Sequence, residues 1–179
     1  MKRILTTALL TGLLATPALA ALKPGDAAPD FTAPATLAGK EFTFSLADKL
    51  KDGPVVLYFY PAAFTSGCSV EAHDFAEATD RFKALGASII GVSADKIDVL
   101  DKFSTADCQS KFALAADPDL KVAKSYDSVL TSLLGYADRT SYVIAPDGKV
   151  LYSYSAMDPD KHVENTLAAV TRWRADHKG

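Results

Sequence analysis

The sequence predicts an α/β fold: a mixed central sheet flanked by helices, with an N-terminal β-hairpin extension. Three observations predict it. "PVVLYFY" (Pro54–Tyr60) is an unbroken apolar, β-branched and aromatic run, as in a strand covered on both faces. Strand-like and helix-like segments alternate after it, the signature of helices packed on a largely parallel sheet. The pattern then changes to two alternating β runs joined by "APDG" and a closing amphipathic helix, which adds antiparallel strands.

Taken in order, the first twenty residues differ from the rest. "MKR" is positive, "ILTTALLTGLLATP" is apolar, and Ala18-Leu19-Ala20 is an A-x-A cleavage pattern. Together they predict a secretory signal peptide over residues 1–20, cut after Ala20. The mature chain, 21–179, is then expected to form one domain in an exported, disulfide-permissive compartment, the periplasm if the source is Gram-negative. No stable membrane anchor is expected. "FTAP" and "EFTFS", separated by "ATLAGK", predict a hairpin. From Ser66 to Leu85 the spacing is helical, with Val70, Phe75, Ala78 and Phe82 on one stripe and Gly86 as the stop.

"ASIIGVS" (Ala87–Ser93) predicts a second buried strand, "DKIDVLDKFSTADCQ" a helix with Ile97, Leu100 and Phe103 inward, and "FALAA" a short strand. "PDLKVAKSY" predicts a helix with Pro118 in its first turn. The tail from Pro159 to His177 predicts a helix whose stripe is Val163, Leu167, Val170 and Trp173, with Trp173 in the core. This order suits a thioredoxin-like fold in which Cys68 lies in the first turn of the helix after the central strand.

Composition narrows the function. Hydrophobic residues make up 49% and charged residues 23%, as in a globular core. A net charge of −3 offers no basic face for nucleic acid and no polybasic membrane patch. No G-x-G-x-x-G, P-loop or H-E-x-x-H pattern is present, so no cofactor is expected from these motifs.

There are two cysteines, Cys68 and Cys108. In "YPAAFTSGCSV" the first stands where a helix N-terminus would supply partial positive charge and free N–H groups, both of which favour a thiolate. That matters because a free thiol is only roughly 3% ionised at pH 7, and the thiolate is the nucleophile. Gly67 leaves the backbone accessible. Pro61 fixes φ and lacks an N–H, and Thr65 brings a hydroxyl that both accepts and donates. Inert burial is the competing reading of such a residue, since cysteine is among the most buried types.

Pro61, Thr65 and Cys68 spell P-x-x-x-T-x-x-C, and "CSVEAHDF" follows as C-x-x-E-A-x-D-F. With "GVSAD", "DPDLKVAKSY" and "RTSYVIAPDGKV", these stretches resemble the peroxiredoxins, and within them the bacterioferritin-comigratory, or Q-type, branch. The resemblance runs from about Pro24 to the C-terminal helix. It implies a thiol peroxidase in antioxidant defence, with Cys68 as the peroxidatic thiolate that becomes sulfenic acid. It also implies that Thr65 holds the peroxide, that Pro61 shields the site and that Arg139 favours the thiolate and polarises the O–O bond. On its own residues, Arg139 reads as a solvated charge at a strand start. Implied partners are a peroxide, hydrogen peroxide or a small organic hydroperoxide, and a dithiol or thioredoxin-like reductant. The branch is often monomeric.

The chain departs from the branch at Ser66, where Pro is common, and in the placement of its second cysteine. His73 stands five residues after Cys68, where many members carry the resolving cysteine. Others resolve from the next helix near Ser104, and Cys108 lies one turn further on, so it is the candidate resolving cysteine. The competing readings are a one-cysteine peroxidase with Cys108 structural, an inert Cys68–Cys108 disulfide, and a copper-binding protein using Cys68, His73 and Cys108. His162 and His177 have no companion ligands nearby, and surface roles are expected for both.

Overall fold

The computed structural model describes residues 21–131 and 135–177. The expected signal peptide lies outside the described residues. In chain order the elements are β1 (Thr32–Leu37), β2 (Lys40–Ser45), α1 (Leu46–Leu50), β3 (Val55–Phe59), α2 (Ser66–Ala84), β4 (Ser88–Ser93) and α3 (Ile97–Ala106). They continue with β5 (Ala113–Ala116), α4 (Lys121–Ser125), β6 (Val129–Thr131), β7 (Tyr136–Ala137), β8 (Thr140–Ile144), β9 (Val150–Ser155) and α5 (His162–Asp176).

β3 is buried along its whole length because it sits inside a seven-stranded sheet of order β2-β1-β5-β4-β3-β8-β9. It runs parallel to β4 and antiparallel to β8. Its side chains alternate between two cores, as the pleat requires. Val56 and Tyr58 face a layer made by α2, α3 and α5, with Phe75, Phe82, Leu100, Phe103, Leu167 and Val170. Val55, Leu57 and Phe59 face the other layer, with Leu46 and Leu50 of α1, Val122 and Ala123 of α4, and Tyr126. Each such side chain contributes roughly 1.5–3 kcal/mol on burial, so the two layers hold the sheet from both sides. Gly91 on β4 is needed for this packing, because a Cβ there would stand 2.7 Å from the Tyr58 ring and 2.8 Å from Leu114.

Four local expectations are revised. The N-terminal hairpin has longer strands and a two-residue turn, Ala38 (φ 54°) and Gly39 (φ 71°), whose left-handed pair matches the twist of the flanking strands. α4 starts at Lys121, later than Pro118, because the Asp117 carboxylate accepts from the Lys121 and Ala123 amides and so caps it there. Val70 is 47% exposed, off the buried stripe of α2, which instead runs Cys68, Glu71, Ala72, Phe75, Thr79 and Phe82. Trp173 is only half-buried and stacks on His177, with ring centroids 4.6 Å apart.

Candidate active site

β3 ends at Phe59, and the Tyr60 amide still bonds to the Val92 carbonyl before Pro61 turns the chain away. The loop from Pro61 to Thr65 is held at both ends. The Ala63 amide donates to Asp95 Oδ2 at 2.8 Å, and the Thr65 hydroxyl donates to the Ala62 carbonyl at 2.9 Å. Between them Phe64 adopts φ 62°, a left-handed conformation that costs a non-glycine residue roughly 1–2 kcal/mol. That conformation leaves its ring exposed yet packed edge-on against Phe103 of α3, with centroids 5.1 Å apart. Thr65 is the N-cap of α2 in extended conformation, and Cys68 is the third residue of the helix, only 1% exposed.

The antiparallel register pairs Phe59 with Thr140, which brings Arg139 to the end of β3 beside the loop. Arg139 is 3% exposed, not the solvated strand-start charge that its sequence position suggests. Its backbone amide is capped by Asp138, and Nε donates to the Met157 carbonyl at 2.9 Å. Nη1 pairs with Glu71 Oε2, and Nη2 donates to Cys68 Sγ at 3.3 Å. Gly67 gives the guanidinium room: a Cβ there would come within 3.2 Å of Nη2. Burial opposes the Arg139 charge, but Glu71 and Cys68 outweigh it and hold its pKa above the ordinary value. Burial pushes the Glu71 carboxyl up to about 8, against the pull of Arg139.

Glu71 and His162 are the residues that sequence reasoning missed. Glu71 had a readable signal: it lies three residues after Cys68, on the same helix face as Ala72 and Phe75. His162 was expected at the surface. It is fully buried, with Nδ1 2.8 Å from Ser141 Oγ and Nε2 2.9 Å from the Ala156 carbonyl. Its signal was the i, i+4, i+8 run His162, Thr166, Val170, all buried on α5.

Cys108 lies two residues beyond the end of α3, in a turn, with its amide bonded to the Phe103 carbonyl at 3.2 Å. It is buried in the same core layer as Cys68, and both thiols are free. Burial pushes the Cys108 thiol far up. The residues that follow it, Gln109 (φ 49°) and Ser110 (φ 60°), are both left-handed. Gln109 Nε2 lies 2.9 Å from His73 Nδ1, tying this turn to α2. His73 itself is exposed and reaches Glu77 at 3.1 Å. A copper site built from Cys68, His73 and Cys108 finds no support: both thiols are buried and His73 faces outward. Among the described residues no group of three His, Cys, Asp or Glu side chains is placed to hold a metal ion. Ser104 uses its hydroxyl to join the hairpin to α3, accepting from the Gly39 amide and donating to the Asp101 carbonyl.

Comparison with known proteins points to one family. Residues 24–153 match the AhpC/TSA family. The chain is 36% identical over 145 residues to the chloroplastic peroxiredoxin Q of Oryza sativa subsp. japonica; the match covers 80% of this chain and 64% of that protein's length. The crystal structure of peroxidoxin BcpB from Mycobacterium tuberculosis superposes with a TM-score of 0.77 at 33% identity, covering 84% of this chain and 97% of that one. Peroxiredoxin Q of Xanthomonas campestris superposes with a TM-score of 0.70 at 27% identity, covering 79% and 90%. The fold is therefore thioredoxin-like α/β, as the order of elements predicts.

Proposed function

The chain belongs to the AhpC/TSA family of peroxiredoxins, and from that premise we propose that it is a thiol peroxidase of the Q-type branch. The observation that carries the reading is the Cys68 sulfur in the first turn of α2, with Arg139 Nη2 donating to it at 3.3 Å. The helix N-terminus and the guanidinium both favour the thiolate over the thiol. The thiolate attacks one oxygen of hydrogen peroxide or a small hydroperoxide. An S–O bond forms as the O–O bond breaks, giving sulfenic acid, and the departing oxygen takes a proton to leave as water or alcohol. The Thr65 hydroxyl gives its hydrogen to Ala62, so its lone pairs are free to accept from the peroxide O–H. Pro61 offers no N–H of its own, and the family resemblance supports its role as the residue that shields the thiol. Arg139 stabilises the negative charge that builds on the leaving oxygen.

Cys108 is the resolving cysteine in this reading. Its thiol condenses with the sulfenic acid to a disulfide and water, and a dithiol or thioredoxin-like protein then reduces the bridge, so no further cofactor is needed. Both thiols are buried, so the first turn of α2 and the turn after α3 must open for this step. The consecutive left-handed residues Gln109 and Ser110 make opening of the second cheaper, since each leaves a disfavoured conformation. The positive start, apolar stretch and A-x-A pattern within residues 1–20 support a signal peptide and export, and the branch resemblance supports a monomer.

Stopped-flow mixing of the reduced protein with hydrogen peroxide tests the function. Rapid oxidation and dithiol-driven turnover are expected, both lost in Cys68→Ser. Full turnover in that variant would overturn the assignment.

A further inference from the structure

We propose that His162 is a positioning residue for the Cys68 thiolate: it shares a single proton with Glu71, which leaves the Arg139 charge to serve the sulfur. The inference rests on the reading of Cys68 as a nucleophilic thiolate.

The hydrogen inventory of the site favours that proton. His162 Nε2 faces the Ala156 carbonyl, which only accepts, so Nε2 carries a hydrogen. Nδ1 lies 2.8 Å from Ser141 Oγ and 3.5 Å from Glu71 Oε1. Glu71 Oε2 is taken by Arg139, while Oε1 has no hydrogen-bond partner among the described residues. With Glu71 ionised and His162 neutral, the Ser141 hydroxyl donates to Nδ1, but Oε1 keeps no donor and faces Nδ1 at 3.5 Å with both side chains fully buried. A buried acceptor left unpaired costs about 1–3 kcal/mol. One added proton, held on Nδ1 or on Oε1, removes the conflict, and the Ser141 hydroxyl rotates to donate or accept accordingly.

Charge leads to the same proton. Arg139, Glu71 and a Cys68 thiolate sum to one negative charge in a buried site, and the shared proton brings the sum to zero, the cheaper state under burial. Burial moves the two partners in a consistent sense, raising Glu71 and lowering His162, each towards its neutral form. Arg139 opposes the proton, while Asp138 and Asp158 favour it on His162 and Asp74 favours it on Glu71. From β9 the Tyr154 ring closes over the imidazole at 4.8 Å. Without His162 the proton has one basic position instead of two, so Glu71 ionises at lower pH. It then takes the Arg139 charge and repels the thiolate.

The test is the pH profile of Cys68 alkylation by iodoacetamide, read by mass spectrometry in Cys108→Ser protein. His162→Gln keeps an amide to donate to Ala156 but has no basic nitrogen. It should move the midpoint up by about one pH unit, so that alkylation on the acid side slows about tenfold. Adding Glu71→Gln, which makes position 71 permanently neutral, should return the midpoint to or below its original value. A merely structural role for His162 would not be rescued in this way. An unshifted midpoint in His162→Gln, or an unrescued double variant, overturns the proposal. If His162→Gln does not fold, nitrogen-15 NMR of the unmodified reduced protein decides it. Hydrogen on or shared at Nδ1 while the thiolate is present, or failing that a protonated Glu71 in the carboxyl infrared band, supports it. A bare Nδ1 beside an ionised Glu71 overturns it. A protein that alkylates in this way yet consumes no peroxide would overturn the peroxidase reading and leave this one standing.

Discussion

Arg139 bridges Glu71 and Cys68, giving one N–H to the carboxylate and another to the sulfur at 3.3 Å, with all three side chains buried. One cation therefore serves two acidic groups, and the share each receives depends on whether Glu71 is ionised.

Replacing Arg139 with Ala is expected to slow Cys68 oxidation on the order of 100-fold, the scale of losing a preorganised donor at a developing charge. Because the side chain is buried and hydrogen-bonded, the change also costs about 1–3 kcal/mol of stability by leaving the Glu71 carboxyl and the Met157 carbonyl without their donor. Adding Glu71→Gln should recover part of the stability and none of the rate. Chemical denaturation and stopped-flow oxidation measure the two separately.

The pH dependence of stability carries the mark of Glu71. Its folded pKa of about 8 lies above the ordinary 4.5, so between those values the folded protein holds a proton that the unfolded chain has lost. A group raised in the fold contributes stability at low pH that declines as pH rises through that window. The decline is at most about 1.4 kcal/mol per pH unit from this group. Urea titrations from pH 5 to 8 should show a shallower decline in Glu71→Gln than in the unaltered protein.

Gly67→Ala places a Cβ within 3.2 Å of Arg139 Nη2. The guanidinium must retreat by a few tenths of an ångström, which weakens its bond to Cys68. Since alanine is the better helix former, oxidation should slow several-fold with little loss of melting temperature. Equal rates for the two proteins would mean that this contact is not needed.

Cys108→Ser should leave the first oxidation step intact and abolish the intramolecular disulfide, so that peptide mapping after peroxide recovers Cys68 as sulfenic and then sulfinic acid. Ser110→Gly relieves one left-handed residue in the turn. It should stabilise the reduced turn and slow bridge formation about fivefold, on a scale of roughly 1 kcal/mol. Formation of the disulfide at an unchanged rate would show that this turn does not limit Cys108 release.

Periodicity and punctuation sufficed for the architecture. The unbroken apolar run at Pro54–Tyr60 implied a strand covered on both faces, and the change to helical spacing at Ser66 located the seam that carries Cys68. These features are legible because they depend on neighbours in the chain: alternation, helical repeat and turn residues are local properties. The motif around Cys68 was legible for the same reason.

What the sequence could not determine was the surroundings of isolated charges. Arg139 and His162 both read as solvated, and both are buried, because their environment is made by partners 68 and 91 positions away on α2, where Glu71 sits. Cys108 reads as the end of a helical face and instead lies in a turn beyond it, tied to α2 through Gln109 and His73. By itself, then, the sequence determined the order of the strands of the large sheet and of the helices α2 to α5, without α1, β6 and β7, and the position of the reactive thiol. Only the tertiary structure decided which charges are withdrawn from water, because desolvation and pairing depend on the packing of α2, α5 and the start of β8 against one another, and no local pattern encodes that meeting.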